Sequence, residues 1–522
     1  MTGSSILQAG EFHTDRFRRS AMSGSWLTRL MGFVSLLPLF FMLLHPATSY
    51  CVQPAVVGGF GYTEALKDDG TVWAWGRNDY GQLGDGTRTG QDTPVQVLGL
   101  GGAGILTGVK AIAAGREHTV ALKCDGTVWA WGNNIFGQIG DNTHTDKYTP
   151  VQVVGTDSVG FLTNVISIAA GYWYTIALKE DGTVWTWGSG PMGDNTTTNR
   201  KTPVQVLGPG GIGVLTDVIA IAAGDFHAMA VKKDGSVWAW GDNNCGQLGD
   251  NTTTNRSTPV QVMGLGGIGF LAGAKAIAAG ASHTVVLKDD GTLLAWGLNC
   301  YGQLGDGTRT GQDTPVQVLG LGGAGILTGV KAIAAGREHT VALKCDGTVW
   351  TWGSNMDGVL GVGDNPGMDR LTPVKALGPG GVGFLTDVNV VAAGWYQTMA
   401  LKCDGTVWAW GDNLWGQLGD GTQGVWNDRT TPIQVLGPEG VGYLNLGSFI
   451  SREYYIPYYL SNSGYWTGVA LKNGSTPGIA SVDVFSMSQI GSLMDSQTKT
   501  IPPKGQTAFM MKPGEGWAKV TS

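Results

Sequence analysis

The sequence predicts an all-β fold: a seven-bladed β-propeller closed by the N- and C-terminal strands of the array, followed by a small β-sandwich-like C-terminal module. Three observations carry that prediction. The phrase D-G-[TS]-x-x-x-W-G recurs seven times, with its glycine at Gly70, Gly126, Gly182, Gly235, Gly291, Gly347 and Gly405, at spacings of 56, 56, 53, 56, 56 and 58. A fixed period of this length marks a repeat architecture. Glycine supplies 86 of the 522 residues, more than twice the usual share of about 7%. Only 14% of residues are charged, which suits short strands joined by turns.

Taken in order, residues 1–49 read as an export signal. Arg16, Arg18, Arg19 and Arg29 precede the apolar run "LMGFVSLLPLFFMLL" over residues 30–44, and Ala47, Thr48 and Ser49 offer small residues for cleavage before Tyr50. That run is interrupted by Pro38 and is short for a membrane span. Membrane contact is therefore expected only if the segment is retained.

Residues 54–440 hold the repeats. Each copy carries "AIAAG", "HTVALK", a D-G turn, "TVWAWG", a "GQLGDG" loop and "TPVQV". The runs are β-branched and aromatic and are bounded by Gly, Asp, Asn and Pro, as strands are. The D-G pair tolerates the positive φ of a hairpin turn. Within "TVWAWG", Trp73 and Trp75 share one face while Val72 and Ala74 share the other. Thirteen of the 20 tryptophans occupy these phrases. Large residues on one face and small ones on the other suit stacked blades, each covering its neighbour. The chain begins the array with an "AIAAG"-like strand, "AVVGG" at residues 55–59, and leaves it after "TPIQV" at residues 431–435. The expectation is that the spare first strand completes the last blade and removes the open sheet edges.

The combination G-x-x-H-T-x-A-L, D-G-x-V-W-x-W-G, G-Q-L-G-D and T-P-x-x-V resembles the regulator of chromosome condensation repeat. Seven copies in register, over roughly residues 54–440, carry the resemblance, which implies a seven-bladed propeller. Its members exchange guanine nucleotide on a small GTPase, bind chromatin or, in secreted bacterial cases, inhibit β-lactamase.

The phrase "GREHTVALKCDG" occurs at residues 115–126 and again at 336–347, and holds residue types used in catalysis and metal binding. The repeats themselves test it. At the histidine position they read Tyr62, His118, Tyr174, His227, His283, His339 and Gln397. At the cysteine position they read Asp68, Cys124, Glu180, Lys233, Asp289, Cys345 and Cys403. A ligand or nucleophile would not survive such exchange, so these residues read as architecture, with no catalytic residue, metal or cofactor expected. Residues 80–129 are identical to residues 301–350, a mark of copying within the gene. The "LGDG" and "GDNTTTN" loops lack calcium-loop spacing, and their acidic residues are expected to form Asx-turns. Among six cysteines no C-x-x-C pair occurs, which excludes a zinc ribbon or thioredoxin motif.

The variable positions point to function. Two residues separate the "AIAAG" glycine from the histidine position, where the chain is expected to cross between blades. They read Phe60-Gly61, Arg116-Glu117, Tyr172-Trp173, Asp225-Phe226, Ala281-Ser282, Arg337-Glu338 and Trp395-Tyr396. Loops on a rigid scaffold carry function more often than strands. Phe60, Tyr172, Trp173, Phe226, Trp395 and Tyr396 are candidate anchors for a partner, because such rings dominate binding hot spots. Arg116, Glu117, Asp225, Arg337 and Glu338 are candidates for setting orientation. Packing of the same rings over the blade ends is the structural alternative.

Residues 445–522 lose the repeat. "TGVALKN", "ASVDVFS", "QTAFMM" and "WAKVTS" alternate like strands of a small sandwich, with a degenerate half-repeat as the alternative. The chain stops within a strand-like run, so an incomplete module is one expectation. A net charge of −7 disfavours nucleic-acid binding through phosphates. The function expected is a monomeric, non-enzymatic binding scaffold, secreted or held in the cell envelope, that grips a protein or cell-surface partner. A nucleotide-exchange propeller acting on a small GTPase is the alternative.

Overall fold

The computed structural model describes residues 52–447, apart from Asn365, and the backbone of four strands between residues 454 and 501. The expected export signal at residues 1–49 lies outside the described residues. Seven four-stranded antiparallel sheets form the blades, each built from one repeat in chain order. In blade one, β1 (Ala55–Gly58) pairs with β2 (Tyr62–Leu66), β2 with β3 (Val72–Gly76), and β3 with β4 (Gln91–Gln96). Blade seven repeats the order with Val388–Ala393, Gln397–Lys402, Val407–Gly411 and Arg429–Gln434. The first strand of every repeat lines one central cavity, so each blade runs from an innermost to an outermost strand.

The ring closes where the two ends of the array meet, but not by the expected strand exchange. β1 pairs with β2 of its own blade, and blade seven draws all four strands from its own repeat. Each repeat, read from "AIAAG" to "TPVQV", already contains a full blade, so no blade is left short. Closure uses packing instead. Val56, Ala65 and Trp75 share a core with Met399, Leu401, Val407 and Ala409, and the Asp68 N–H donates to the Leu446 carbonyl at 2.9 Å.

Every seam between blades follows one plan, legible in the W-x-W pattern. The second tryptophan of six phrases and its counterpart Trp296 are fully buried: Trp75, Trp131, Trp187, Trp240, Trp296, Trp352 and Trp410. Trp131 packs on Val72, Ala74 and Leu83 of blade one, the large face covering the small one. Its Nε1–H donates to the Gln82 carbonyl at 2.9 Å, and Trp75 does the same to Gln417 across the closing seam at 2.9 Å. A buried indole needs such a partner. The accepting carbonyl belongs to the "GQLG" loop, and its glycine is required there. Gly84 sits at φ +67°, and a Cβ on it would lie 2.8 Å from the Trp131 Nε1.

The turns follow the expected chemistry. Asp69 Oδ1 accepts from the N–H and the hydroxyl of Thr71 at 3.0 and 2.6 Å. In the outer loop, Asp85 Oδ1 accepts from the Thr87 N–H at 2.9 Å and from Asn78 Nδ2 at 3.0 Å. Both are Asx-turns, which bend an acidic side chain back onto its own loop. In the C-terminal part, Tyr454–Tyr459, Trp466–Asn473, Ala480–Met487 and Leu493–Ile501 pair in that order as one antiparallel sheet. A single sheet, with no second sheet packed on it among the described residues, stands where a sandwich was expected.

Candidate binding face

The innermost strand of each blade ends at the two-residue connection singled out above. That connection leads into the second strand of the same blade, so it does not cross between blades as expected. The crossing is made at the opposite end of the ring, by segments such as Leu100–Gly102 and Pro209–Gly211. Strand alternation therefore gathers the seven short connections and the "GQLGDG" loops on one face. The D-G turns and the crossings occupy the other.

The histidine position, one residue further on, ties the blades together. His118, His227, His283 and His339 place Nε2 at 3.0, 3.0, 3.1 and 3.0 Å from the hydroxyls of Thr175, Thr284, Thr340 and Thr398 in the next blade. Tyr62 donates its hydroxyl to the His118 carbonyl at 2.7 Å, and Tyr174 to that of His227 at 2.6 Å. Gln397 closes the circle by donating Nε2 to the Tyr62 carbonyl at 2.9 Å. Burial holds His118, His227 and His339 down to about 3 and His283 down to about 4. They are neutral clasps, which is why tyrosine and glutamine replace them.

The connections themselves converge on the axis. Tyr172 stacks on Phe226 at 4.9 Å and meets Trp173 edge-on at 4.4 Å. Phe60 meets Trp395 at 5.1 Å and Tyr396 at 6.3 Å. The two clusters join blades three with four and seven with one, neighbours around the ring. Tyr172 also approaches Trp395 at 5.2 Å, which joins the pairs across the ring. The Arg116 guanidinium lies 5.2, 4.6 and 5.7 Å from the rings of Phe60, Tyr172 and Trp395. Arg337 lies 5.1 and 5.4 Å from Trp395 and Tyr396. Cation–π contacts of this kind strengthen as water is excluded. The result is a half-buried aromatic collar over the mouth of the axial cavity. Blade five contributes only Ala281 and Ser282, so the collar has no ring on that side.

Beneath the collar the innermost strands enclose a cavity of about 320 Å³, lined largely by alanine and glycine, with Arg116, Asp225, Arg337 and Trp395 at its mouth. Burial pushes the Asp225 carboxyl up to about 7, against the pull of Arg337 and Arg116. Burial also raises Glu338. Arg116 Nε is buried without a hydrogen-bond partner. Glu117 is placed differently. It is 5% exposed, and it accepts from Arg77 at 2.9 Å and Asn133 at 3.1 Å. Glu117 braces the collar from below and offers no free charge to a partner.

Sequence reasoning missed the outer ring of this face. Phe136 packs on Trp173 at 4.6 Å, and Arg77 lies 5.1, 5.8 and 5.2 Å from the rings of Phe60, Tyr80 and Trp415. Their common mark is the residue just before G-Q, which is Tyr80, Phe136, Tyr301 and Trp415 in four repeats.

A closed seven-bladed propeller with one aromatic face defines the class. The chain belongs to the regulator of chromosome condensation (RCC1) family. The RCC1-like domain matches residues 42–377, and the RCC1 repeat matches residues 388–417 and 404–449. It is 33% identical over 335 residues to the ultraviolet-B receptor UVR8 of Arabidopsis thaliana, covering 63% of this chain and 70% of that protein. It is 30% identical over 366 residues to the E3 ubiquitin-protein ligase HERC2 of Homo sapiens, 69% of this chain but only 7% of that protein. Among solved structures, Prp20p of Saccharomyces cerevisiae, described with its binding to Gsp1p and histones, superposes with a TM-score of 0.58. That match has 23% identity and covers 74% of this chain and 88% of Prp20p. The likeness to Prp20p is one of fold. The relatives are in the main binding and regulatory proteins.

Proposed function

We propose that this chain is an exported, non-enzymatic binding scaffold that grips a protein or cell-surface partner with the aromatic face, as a monomer. The observation that carries the reading is the meeting of rings from blades one, three, four and seven over the channel mouth. Rings already packed against one another lose little freedom when a partner covers them, so burial of their exposed edges goes into affinity. Arg116 and Arg337, stacked on those rings, supply oriented charge that discriminates among partners more than it adds affinity. The arginine-rich start and the run at residues 30–44 support export.

The test is a pull-down of envelope and culture-medium proteins with the full chain and with a variant carrying Trp173→Ala, Trp395→Ala and Tyr396→Ala. A species retained by the first and lost by the second, with unfolding temperature little changed, supports the collar as the binding site. Equal retention by both overturns it. Mass spectrometry of the product checks export separately, with an amino terminus near Tyr50 expected. An intact Met1 on a soluble cytoplasmic product sinks the export reading and favours nucleotide exchange on a small GTPase.

A further inference from the structure

The outer loops of blades six and seven break the repeat. In blades two and four this loop is closed by one bond across 12 residues, from the Asn134 N–H to Asp146 Oδ1 at 2.8 Å and from the Asn243 N–H to Asn255 Oδ1 at 2.7 Å. The same bond spans 14 residues in blade six (Asn355 to Asp369, 3.3 Å) and 15 in blade seven (Asn413 to Asp428, 3.0 Å). The closure is kept across both longer loops. They carry apolar side chains into water: Trp426 is 92% exposed and Val425 64%, beside Leu414 at 39% and Met356 at 45%. No contact inside the blade compensates an indole left so open.

Carboxylates lie beside these side chains. Asp357 follows Met356, Asp412 precedes Leu414 by two residues, and Asp428 follows Trp426 by two. Burial raises Asp357 to about 6, with Asp412 and Asp428 pushing the same way. Burial and Asp428 raise Asp412 as well. The donors that reach Asp412 are neutral, the Leu414 N–H at 2.8 Å and Gln417 Nε2 at 2.7 Å. The nearby cations are committed elsewhere: Arg429 to Asp420, Arg370 to Asp364, and Arg77 to Asp79 and Glu117. The acid further along the loop finds a cation in blades two, three, four and seven alike, Asp141 with Lys147, Asp194 with Arg200, Asp250 with Arg256 and Asp420 with Arg429. Asp357, Asp412 and Asp428 have none within ion-pair distance among the described residues.

We propose that the rim of blades six and seven docks a cationic amphipathic segment of another protein, with an apolar side chain against Trp426 and Val425 and a lysine or arginine among Asp357, Asp412 and Asp428. Charge complementarity selects this occupant. A second copy of the chain would bring the same carboxylates against themselves, and an anionic lipid surface would be repelled. The segment's cation satisfies three crowded acids at once, and the indole offers it a ring face as well. This surface uses none of the collar residues and stands whether or not the collar binds.

The experiment titrates the full chain into a fluorescein-labelled peptide, Lys-Leu-Lys-Trp repeated three times, and into its glutamate-for-lysine counterpart, by anisotropy at physiological salt. The lysine peptide is expected to bind and the glutamate peptide not. Trp426→Ala, and Asp412→Asn with Asp428→Asn, are each expected to weaken binding at least tenfold. Phe270→Ala on the opposite face and the collar triple variant should leave it unchanged. Lowering the pH from 7.5 to 5 protonates Asp357, which burial holds up at about 6, and should weaken binding without any substitution, which covers failure of the asparagine variant to fold. Absence of binding by the unaltered chain overturns the proposal, as do equal binding of the two peptides and indifference to Trp426→Ala. A dimer seen by light scattering and abolished by Trp426→Ala would assign the surface to a second copy and overturn it too.

Discussion

Tyr172 and Tyr174 stand two residues apart in one repeat and meet opposite fates. Tyr174 is fully buried, and its hydroxyl reaches carbonyls of the next blade. Tyr172 is half-buried at the axis and touches rings from blades three, four and seven. The seam position addresses backbone carbonyls, which every blade presents at the same place, and a threonine, which every blade but the fourth presents, where Ala228 stands. Histidine, tyrosine or glutamine can therefore do the work there. The collar position addresses mainly other side chains on its own face, so no repeated backbone group fixes its identity. Seam and collar are neighbours in sequence and pack against different groups.

The largest expected difference is in stability. Trp131→Ala removes a fully buried indole and its bond to Gln82, and should cost about 3–5 kcal/mol in denaturant unfolding. The collar triple variant removes edges already in water and should cost less than half as much. Equal losses would show that the collar is blade packing after all.

Acid should separate the regions next. Free histidine titrates near 6.5, whereas burial holds the four clasps down to about 3 or 4. The unfolded chain thus binds more protons between these values. Stability from the neutral clasps is complete above about pH 6.5 and is lost as pH falls toward 4 and then 3. Thermal scans should show a steep acid limb, since one pKa unit is worth about 1.4 kcal/mol. His118→Gln, the residue that Gln397 already supplies at the closing seam, should flatten that limb. An unchanged limb would place the acid sensitivity elsewhere.

The smallest effect concerns Glu64, fully buried against the Thr119 hydroxyl at 2.5 Å. Other repeats place Val120, Ile176, Met229, Val285, Val341 and Met399 there. Burial raises its pKa well above the carboxylate range. Its contribution is therefore present at low pH and lost as pH rises through the folded value. Glu64→Met should raise stability at pH 8 by about 1 kcal/mol, the scale of freeing one buried polar group. A loss at pH 8 would mean that the carboxyl organises the first seam.

Much of the seam was legible because repetition acts as its own alignment. The W-x-W alternation and the D-G turns identified core and turn, and the exchange of His118 for Tyr174 or Gln397 marked that position as architecture, though not as a clasp between blades. The closing arrangement was misread. A strand without a preceding repeat looked spare, whereas the pairing frame begins with that strand. The collar residues were legible as variable positions, but their convergence was not. Phe136 and Trp415 were overlooked because they sit in loops that otherwise repeat.

The sequence alone determined the blade count, the strands and the residues facing each seam, because period-two alternation and turn chemistry are local and recur seven times. Only the tertiary structure decided that Tyr172 and Trp395, 223 positions apart in the chain, lie 5.2 Å from each other. It also decided that Glu117 braces while Arg116 stacks, and that Asp357 crowds Asp412 and Asp428 with no cation to relieve them. Those facts depend on the closure of the ring. Closure brings blades distant in the chain to one axis, and no local pattern encodes which side chains meet there.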